Sequence, residues 1–387
     1  MIESVSSLLN AILPSNRFYS QKAASGDDFF TNKQELIDDQ AAHPPYGTNL
    51  TFPLEQYTRF CQTSGTSGHP LRWLDTTESW NWMLGNWDRV YEAAGITAKD
   101  RIFFAFSFGP FLGFWTAFES ATRMGALAIP GGGMRTAVRL RTILENRATV
   151  LCCTPTYAIR MAEEAAEENI DLSASNIRRI VVAGEPGGSI ASTRAQIEKL
   201  WPGASVVDHH GMTETGPVSY GCPARPGVLH VIESSYIVEV VDGELILTNL
   251  GRIGSPLIRY RTGDLVHAVP GKCACGTCDI ALEGGILGRI DDMVVVRGVN
   301  IYPSAVEEIL RSHGITEYRV EVRTDRALTQ LHIQVEAEEG ASARLEAALT
   351  NAFSLRIPVA SVPVGTLPRF EAKAKRWIRY DRVINES

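Results

Sequence analysis

The sequence predicts an α/β protein. A large N-terminal domain of mixed and parallel sheets with helices, plus a β-rich subdomain, is followed by a small mobile C-terminal α+β domain. Three observations carry this. From about Trp80 to Asp208, amphipathic helical windows alternate with short β-branched runs, the pattern of parallel strands joined by helices. Past Gly216 the texture changes to short strands in close succession, with an Asp242-Gly243 hairpin signal. The length of 387 residues, 44% apolar and 21% charged, suffices for two self-sufficient cores.

The elements follow in order. Thr76–Ala94 reads as a helix because Trp80, Leu84 and Trp87 share a face. Strands are expected at Arg101–Phe106, Ala126–Ile129, Thr149–Cys153, Arg179–Ala183 and Ser205–Asp208. Helices are expected at Thr116–Met124, Thr136–Asn146, Tyr157–Glu168 and Ile190–Leu200. Ligands collect at the carboxyl ends of such strands, where the loops Gly184–Gly188 and His209–Gly216 fall. A hairpin, Tyr236–Val241 with Glu244–Thr248, opens the β-rich part. After a connector at Gly288–Asp292 come a strand (Met293–Val296), a helix (Ser304–Arg311), strands Arg319–Thr324 and Gln330–Glu336, a helix (Ala341–Phe353) and a basic tail. The expected domains are 1–290 and 291–387.

A net charge of -7, with no basic cluster longer than Lys373, Lys375 and Arg376, argues against a nucleic-acid partner. The longest apolar stretch, Ile102–Phe118, is interrupted by Ser107, Gly109, Pro110 and Gly113. It falls short of the roughly 20 residues a membrane span needs. The start, Met1–Asn10, is polar, and the seven cysteines are odd in number, which suits a reducing, cytoplasmic setting. Clustered cysteines then read as metal ligands before disulfides, and Cys61, Cys152 and Cys153 in apolar strands as core.

Thr63-Ser64-Gly65-Thr66-Ser67-Gly68-His69-Pro70 packs four hydroxyls and two glycines into eight positions, a composition that turns backbone N–H groups and hydroxyls toward an anion. No Gly-Lys-Ser/Thr follows, so it is not a Walker A loop. The order of residues resembles the signature loop of the adenylate-forming superfamily (acyl-CoA synthetases, aryl acid ligases, adenylation domains). Four further landmarks match that superfamily in order: Gly184-Glu185-Pro186, His210-Gly211-Met212-Thr213-Glu214, Tyr260-Arg261-Thr262-Gly263-Asp264 and Gly288-Arg289-Ile290-Asp291-Asp292. The short length, Pro256–Asp264 and Val296–Pro303 look like the phenylacetate–CoA ligase branch.

The resemblance implies ATP-dependent activation of a carboxylic acid as an acyl-adenylate, with transfer to coenzyme A; a carrier protein or an amine is an alternative acceptor. A rival of another class is a non-catalytic, zinc-stabilised nucleotide-binding protein, which the joint presence of Glu214, Asp264 and Lys373 disfavours. By resemblance, Thr63, Ser64, Gly65, Thr66, Ser67 and Gly68 hold the β- and γ-phosphates. Gly184, Glu185 and Pro186 form the adenine-contacting segment, and His210 and Gly211, from the aromatic-Gly-x-Thr-Glu motif, also bind the nucleotide. Thr213 serves the α-phosphate, Glu214 binds Mg²⁺, Asp264 the ribose hydroxyls, and Arg289 lies near ribose and phosphate. Lys373 bridges substrate carboxylate and nucleotide, with Lys375 a weaker candidate because Ala372 stands where relatives have Gly. Asp291 matches the hinge about which the small domain swings.

His69 replaces a common cation, for which Arg72 is expected to compensate. Cys273-Ala274-Cys275-Gly276-Thr277-Cys278 puts three thiols in six residues. Relatives carry a Cys, a Gly-Leu-His and a Cys-x-Cys-Gly in similar places, which implies a structural Zn²⁺ site of Cys222, His230, Cys273 and Cys275, with Cys278 spare or substituting for one of them. Phe103, Phe104, Phe106, Phe108, Phe111, Phe114 and Trp115, with the loop Pro130–Gly133, are expected to wall an aromatic acid or to be core. His209 and His210 either bond a substituent of the acid or pack as neutral residues. A homodimer is compatible with the sequence.

Overall fold

A computed structural model of the chain describes residues 3–24, 26, 29–63, 70–297, 299–325, 328–338, 340–370 and 374–381. Three helices open the chain, α1 (Val5–Ile12), α2 (Arg17–Ala23) and α3 (Lys33–Ala42), each started by a side-chain cap from Ser4, Asn16 or Asn32. Two antiparallel strands follow, β1 (Tyr57–Gln62) and β2 (Arg72–Thr76), and then helix α4 (Thr77–Ala93).

The centre is a five-stranded, all-parallel sheet of β3 (Arg101–Phe104), β4 (Leu127–Pro130), β5 (Val150–Cys153), β6 (Arg179–Val182) and β7 (Ser205–Asp208). Its spatial order is β4-β3-β5-β6-β7. Helices α5 (Trp115–Met124), α6 (Thr136–Glu145), α7 (Pro155–Glu167) and α8 (Ala191–Leu200) connect consecutive strands. The strands read as continuous apolar runs because both faces are buried. Ile102, Phe104, Val150, Cys152 and Val181 enter one core; Phe103, Leu151, Cys153, Ile180 and Val182 enter the other. The two-residue period of a strand assigns them.

Beyond β7 lie two four-stranded antiparallel sheets. One comprises Tyr236–Val241, Glu244–Asn249, Tyr260–Leu265 and Gly288–Arg289; the other Ser219–Gly221, Val228–Val231, Ala268–Val269 and Ala281–Glu283. Asp242 and Gly243 both have positive φ (52° and 81°), the requirement of a two-residue hairpin turn. The C-terminal part packs helices α9 (Pro303–Ser312) and α10 (Ala341–Phe353) on a four-stranded sheet around Val306, Leu310, Val320, Ile333 and Leu345.

The expected basic tail is instead an edge strand, Trp377–Asp381, parallel to Tyr318–Asp325. Arg376 is buried rather than solvated: its guanidinium pairs with Glu317 at 2.7 Å and lies over the Tyr318 ring. Those partners are distant in sequence, so the short basic run reads as a free tail. The three N-terminal helices also lay outside the sequence reading, because only capping residues and a few apolar positions mark them. Among the described residues, no helix is long and apolar enough to cross a membrane.

Candidate active site

Strands β1 and β2 flank the Thr63–Pro70 sequence in the chain. Gln62 is in register with Arg72, and the base is closed by Thr63 N–H to Leu71 O (2.9 Å) and Leu71 N–H to Thr63 Oγ1 (3.0 Å). Ser64, Gly65, Thr66, Ser67, Gly68 and His69 lie outside the described residues, as does Lys373. The guanidinium of Arg72, expected to compensate for His69, donates to the Pro45 carbonyl at 2.9 Å.

The cation at the centre is one the sequence reading missed. Lys33, the first residue of α3, places Nζ 3.0 Å from Glu214 Oε1. The N-terminal segment is held there by a strand-like bridge, in which Thr31 N–H donates to Arg259 O (3.0 Å) and Arg261 N–H to Thr31 O (2.8 Å). The Asn32 cap was legible, but Glu214 is far along the chain and nothing local points to it.

Glu214 is 4% exposed and Asp264 3% exposed, so both carboxylates are withdrawn from bulk water. Asp264 sits in a ladder of polar contacts. Its Oδ2 faces His210 Nε2 at 2.9 Å, and its Oδ1 accepts from Arg289 Nη1 at 2.9 Å, the two residues being cross-strand partners. Arg289 Nε continues the ladder to Asp291 Oδ1 at 3.0 Å. His210, Asp264, Arg289 and Asp291 thus form one connected run from the sheet's end to the connector. Gly211 lies in the short strand that leads from His210 into Thr213 and Glu214.

Gly184 and Pro186 are exposed in the loop after β6, while Glu185 turns toward the C-terminal part. Its carboxylate accepts from Thr156 N–H (2.8 Å) and from Ala374 N–H (3.0 Å), so it grips the chain one residue beyond Lys373. Arg376 Nη1 to Thr156 Oγ1 (3.1 Å) and Ser192 Oγ to Glu308 Oε2 (3.0 Å) fasten the same interface.

His209 is a packing residue. It is buried against Trp87, ring centroids 4.3 Å apart, and its Nδ1 lies 2.6 Å from the Ser219 carbonyl. Burial drives its pKa from the ordinary 6.5 to about 3, which keeps it neutral. The carbonyl makes Nδ1 the protonated nitrogen and leaves Nε2 an acceptor. The aromatic segment forms a stacked wall: Phe108 meets Phe106 at 5.2 Å, Trp115 at 4.8 Å and Phe118 at 5.3 Å. Phe104 and Phe114 behind it are buried, whereas Phe106, Phe108 and Trp115 are half-buried. Gly131 N–H bonds Phe104 O at 2.9 Å, so the glycine loop lies against this wall.

Cys222, His230, Cys273 and Cys275 converge, with their ligand atoms all within 4.8 Å of one another. Cys222 and Cys273 sulfurs are 3.7 Å apart, and Cys275 Sγ is 3.5 Å from His230 Nε2. A zinc tetrahedron with ~2.3 Å Zn–S and ~2.05 Å Zn–N bonds has edges of about 3.8 and about 3.5 Å. His230 Nδ1 faces the Asp279 carbonyl at 2.9 Å, which leaves Nε2 free as a ligand. The donor set therefore fits zinc. Cys278 is exposed and outside the cluster.

The signature described as AMP-binding enzyme matches residues 18–257, and that described as AMP-binding enzyme C-terminal domain matches residues 298–380. The chain belongs to the AMP-binding enzyme family. It is 30% identical over 326 residues to a phenylacetate-coenzyme A ligase of Thermus thermophilus, covering 80% of this chain and 71% of that one. To the phenylacetate-coenzyme A ligase of Escherichia coli it is 29% identical over 378 residues, covering 89% and 83%. The structure superposes on 2-hydroxyisobutyryl-CoA ligase in the postadenylation state with a TM-score of 0.90, at 25% identity over 97% of this chain and 89% of that chain. The same ligase in its thioesterification state gives 0.71, at 26% identity over 96% and 87%. This AMP-binding enzyme is an AMP-forming ligase that activates a carboxylic acid with ATP as an acyl-adenylate and makes a coenzyme A thioester.

Proposed function

We propose that this ligase activates an aromatic carboxylic acid, and that Glu214 and Asp264 divide the nucleotide between them. The observation that carries the reading is the pair of buried carboxylates at the sheet's carboxyl end, one beside Thr213 and a lysine, the other bracketed by His210 and Arg289. Asp264 offers its two oxygens to the ribose hydroxyls, and Arg289 holds it in place. Glu214 is the residue that would hold Mg²⁺, which supplies charge neutralisation on the phosphates. Thr213 donates to the α-phosphate, and the Thr63–Gly68 loop holds the β- and γ-phosphates. Lys33 takes over part of the cationic role that His69 lacks.

Carboxylates acylate poorly because oxide is a poor leaving group; joining the acid to AMP makes that oxygen part of a phosphate. Lys373 bridges the acid and the nucleotide. Glu185, bonded to Ala374, keeps that segment over the site. The 290/291 boundary is the pivot, with Asp291 the residue that absorbs the rotation. The half-buried faces of Phe106, Phe108 and Trp115 suit a flat aromatic acid. Cys222, His230, Cys273 and Cys275 would hold a structural zinc that pins the β-rich subdomain.

Acid-dependent exchange of pyrophosphate into ATP tests the reading across benzoic, hydroxybenzoic, aminobenzoic, phenylacetic and short aliphatic acids. Aromatic acids should stimulate exchange at least tenfold more than aliphatic ones. A preference for short aliphatic acids would overturn the aromatic assignment.

A further inference from the structure

Arg252 is the largest charged side chain with no exposure, and the nucleotide assignments above leave it without a role. It enters from the loop between strands Glu244–Asn249 and Tyr260–Leu265. Gly251 lets that loop lie flat on the Trp82 ring, where a Cβ would collide with the indole. Four of the five guanidinium N–H groups are then spoken for. Nε and Nη2 each donate at 2.6 Å to the two oxygens of Asp75, itself fully buried in β2. Nη1 donates to both the Thr213 carbonyl (2.7 Å) and the Glu214 carbonyl (2.9 Å). The Trp73 ring covers the guanidinium face, 5.1 Å from its carbon.

Two consequences follow from geometry. Asp75 lies on the strand that leaves the phosphate-loop sequence, three residues from Arg72, which is paired with Gln62 at the loop's base. One guanidinium therefore joins the strand carrying one phosphate-binding segment to the backbone carrying the other. In addition, the C=O and N–H of a trans peptide point in opposite directions. Drawing the Thr213 and Glu214 carbonyls toward Arg252 aims the N–H groups of Glu214 and Thr215 the other way, and among the described residues neither has a backbone acceptor. A cation behind the two carbonyls also polarises these peptides, making both N–H groups stronger donors toward an anion.

We infer that the Arg252–Asp75 pair is a positioning device for adenylation: it locks the Thr213–Glu214 segment in register with the phosphate loop and aims two peptide N–H groups at the phosphates of ATP. The inference rests on the assignment of Thr213 and Glu214 to the nucleotide. Neither Arg252 nor Asp75 touches the substrates; both act through the backbone they hold.

The test replaces both charges together, Asp75→Leu with Arg252→Met, because removing one partner would strand a buried charge, whereas removing both is often tolerated. Melting temperature, acid-dependent pyrophosphate exchange and the Mg²⁺ concentration for half-maximal exchange are measured on the full chain. With melting within a few degrees of the parent, exchange should fall about 10²-fold and the Mg²⁺ requirement should rise several-fold. A folded double variant with parental exchange and Mg²⁺ dependence overturns the inference. If the double variant does not fold, Arg252→Lys decides. It keeps the charge but loses the bidentate grip, and should lose at least tenfold in exchange at unchanged melting; parental exchange there overturns the inference equally. Glu214→Gln runs alongside. If it leaves exchange intact, the nucleotide assignment itself has failed; if it abolishes exchange while the Arg252 variants do not affect it, only the positioning role has failed.

Discussion

At the scale of single residues, what each side chain does is set by burial and by partners far along the chain. His209 illustrates this. From sequence it offered either a bond to the acid or a packing role, since two adjacent histidines before Gly211 carry no label. The structure gives it Trp87 and a carbonyl, and its pKa falls to about 3. The unfolded chain holds a proton below about pH 6.5 that the native chain refuses. Stability should therefore be unaffected above about pH 7 and should fall as pH drops from 6.5 toward 3, by up to about 1.4 kcal/mol per unit from this group. Urea unfolding of the parent and of His209→Phe between pH 7 and pH 4.5 measures it. The variant should show a shallower loss, and equal slopes would contradict the neutral assignment. Asp264, by contrast, was legible, because Tyr-Arg-Thr-Gly-Asp names it in sequence. Its brackets, His210 and Arg289, were also named, but only the fold shows that they bracket it.

At the scale of elements, the central sheet was readable because each strand is a short apolar run and each helix repeats its face, so the strand at Ser205–Asp208 and the helix at Ala341–Phe353 fall where they were expected. Strand β1 was readable only at Cys61, expected in an apolar strand and found buried. Its middle residues are exposed, and it lacks the alternation that marks a half-buried strand. The cysteine knuckle shows how a weak pattern gains from topology. The strand Val228–Val231 runs between Ser219–Gly221 and Ala281–Glu283, which carries His230 and Cys222 up to the Cys273–Cys275 turn. About one zinc per purified chain is expected by elemental analysis. Cys273→Ser should lose most of it and lower the melting temperature by several degrees, since a structural metal contributes folding free energy. A metal-free parent with the same melting temperature in a chelator would contradict the assignment.

For the whole molecule, the arrangement of the two parts is the part of the account that sequence conveys least. The Gly288–Asp292 motif stands out in the sequence, but the contacts between the two parts are scattered. Glu185 grips Ala374, Arg376 reaches Thr156, and Ser192 meets Glu308 across the boundary. None is adjacent to Gly288–Asp292 in sequence, and each joins residues more than a hundred positions apart. Two of them, at Ala374 and Arg376, hold the stretch just past Lys373; on the role proposed for Lys373, this is the arrangement that forms the adenylate. If Asp291 is the pivot, as proposed, rotation about it breaks all three before a thiol enters. The lysine should therefore matter to one half-reaction and not to the other.

The most direct test of this account compares the parent with Lys373→Ala in two assays: acid-dependent pyrophosphate exchange, and thioester formation from coenzyme A and a supplied acyl-adenylate. Exchange should fall by about 10²-fold or more, while thioester formation stays within a few-fold of the parent. Equal loss in both assays, or exchange retained in full, would contradict it.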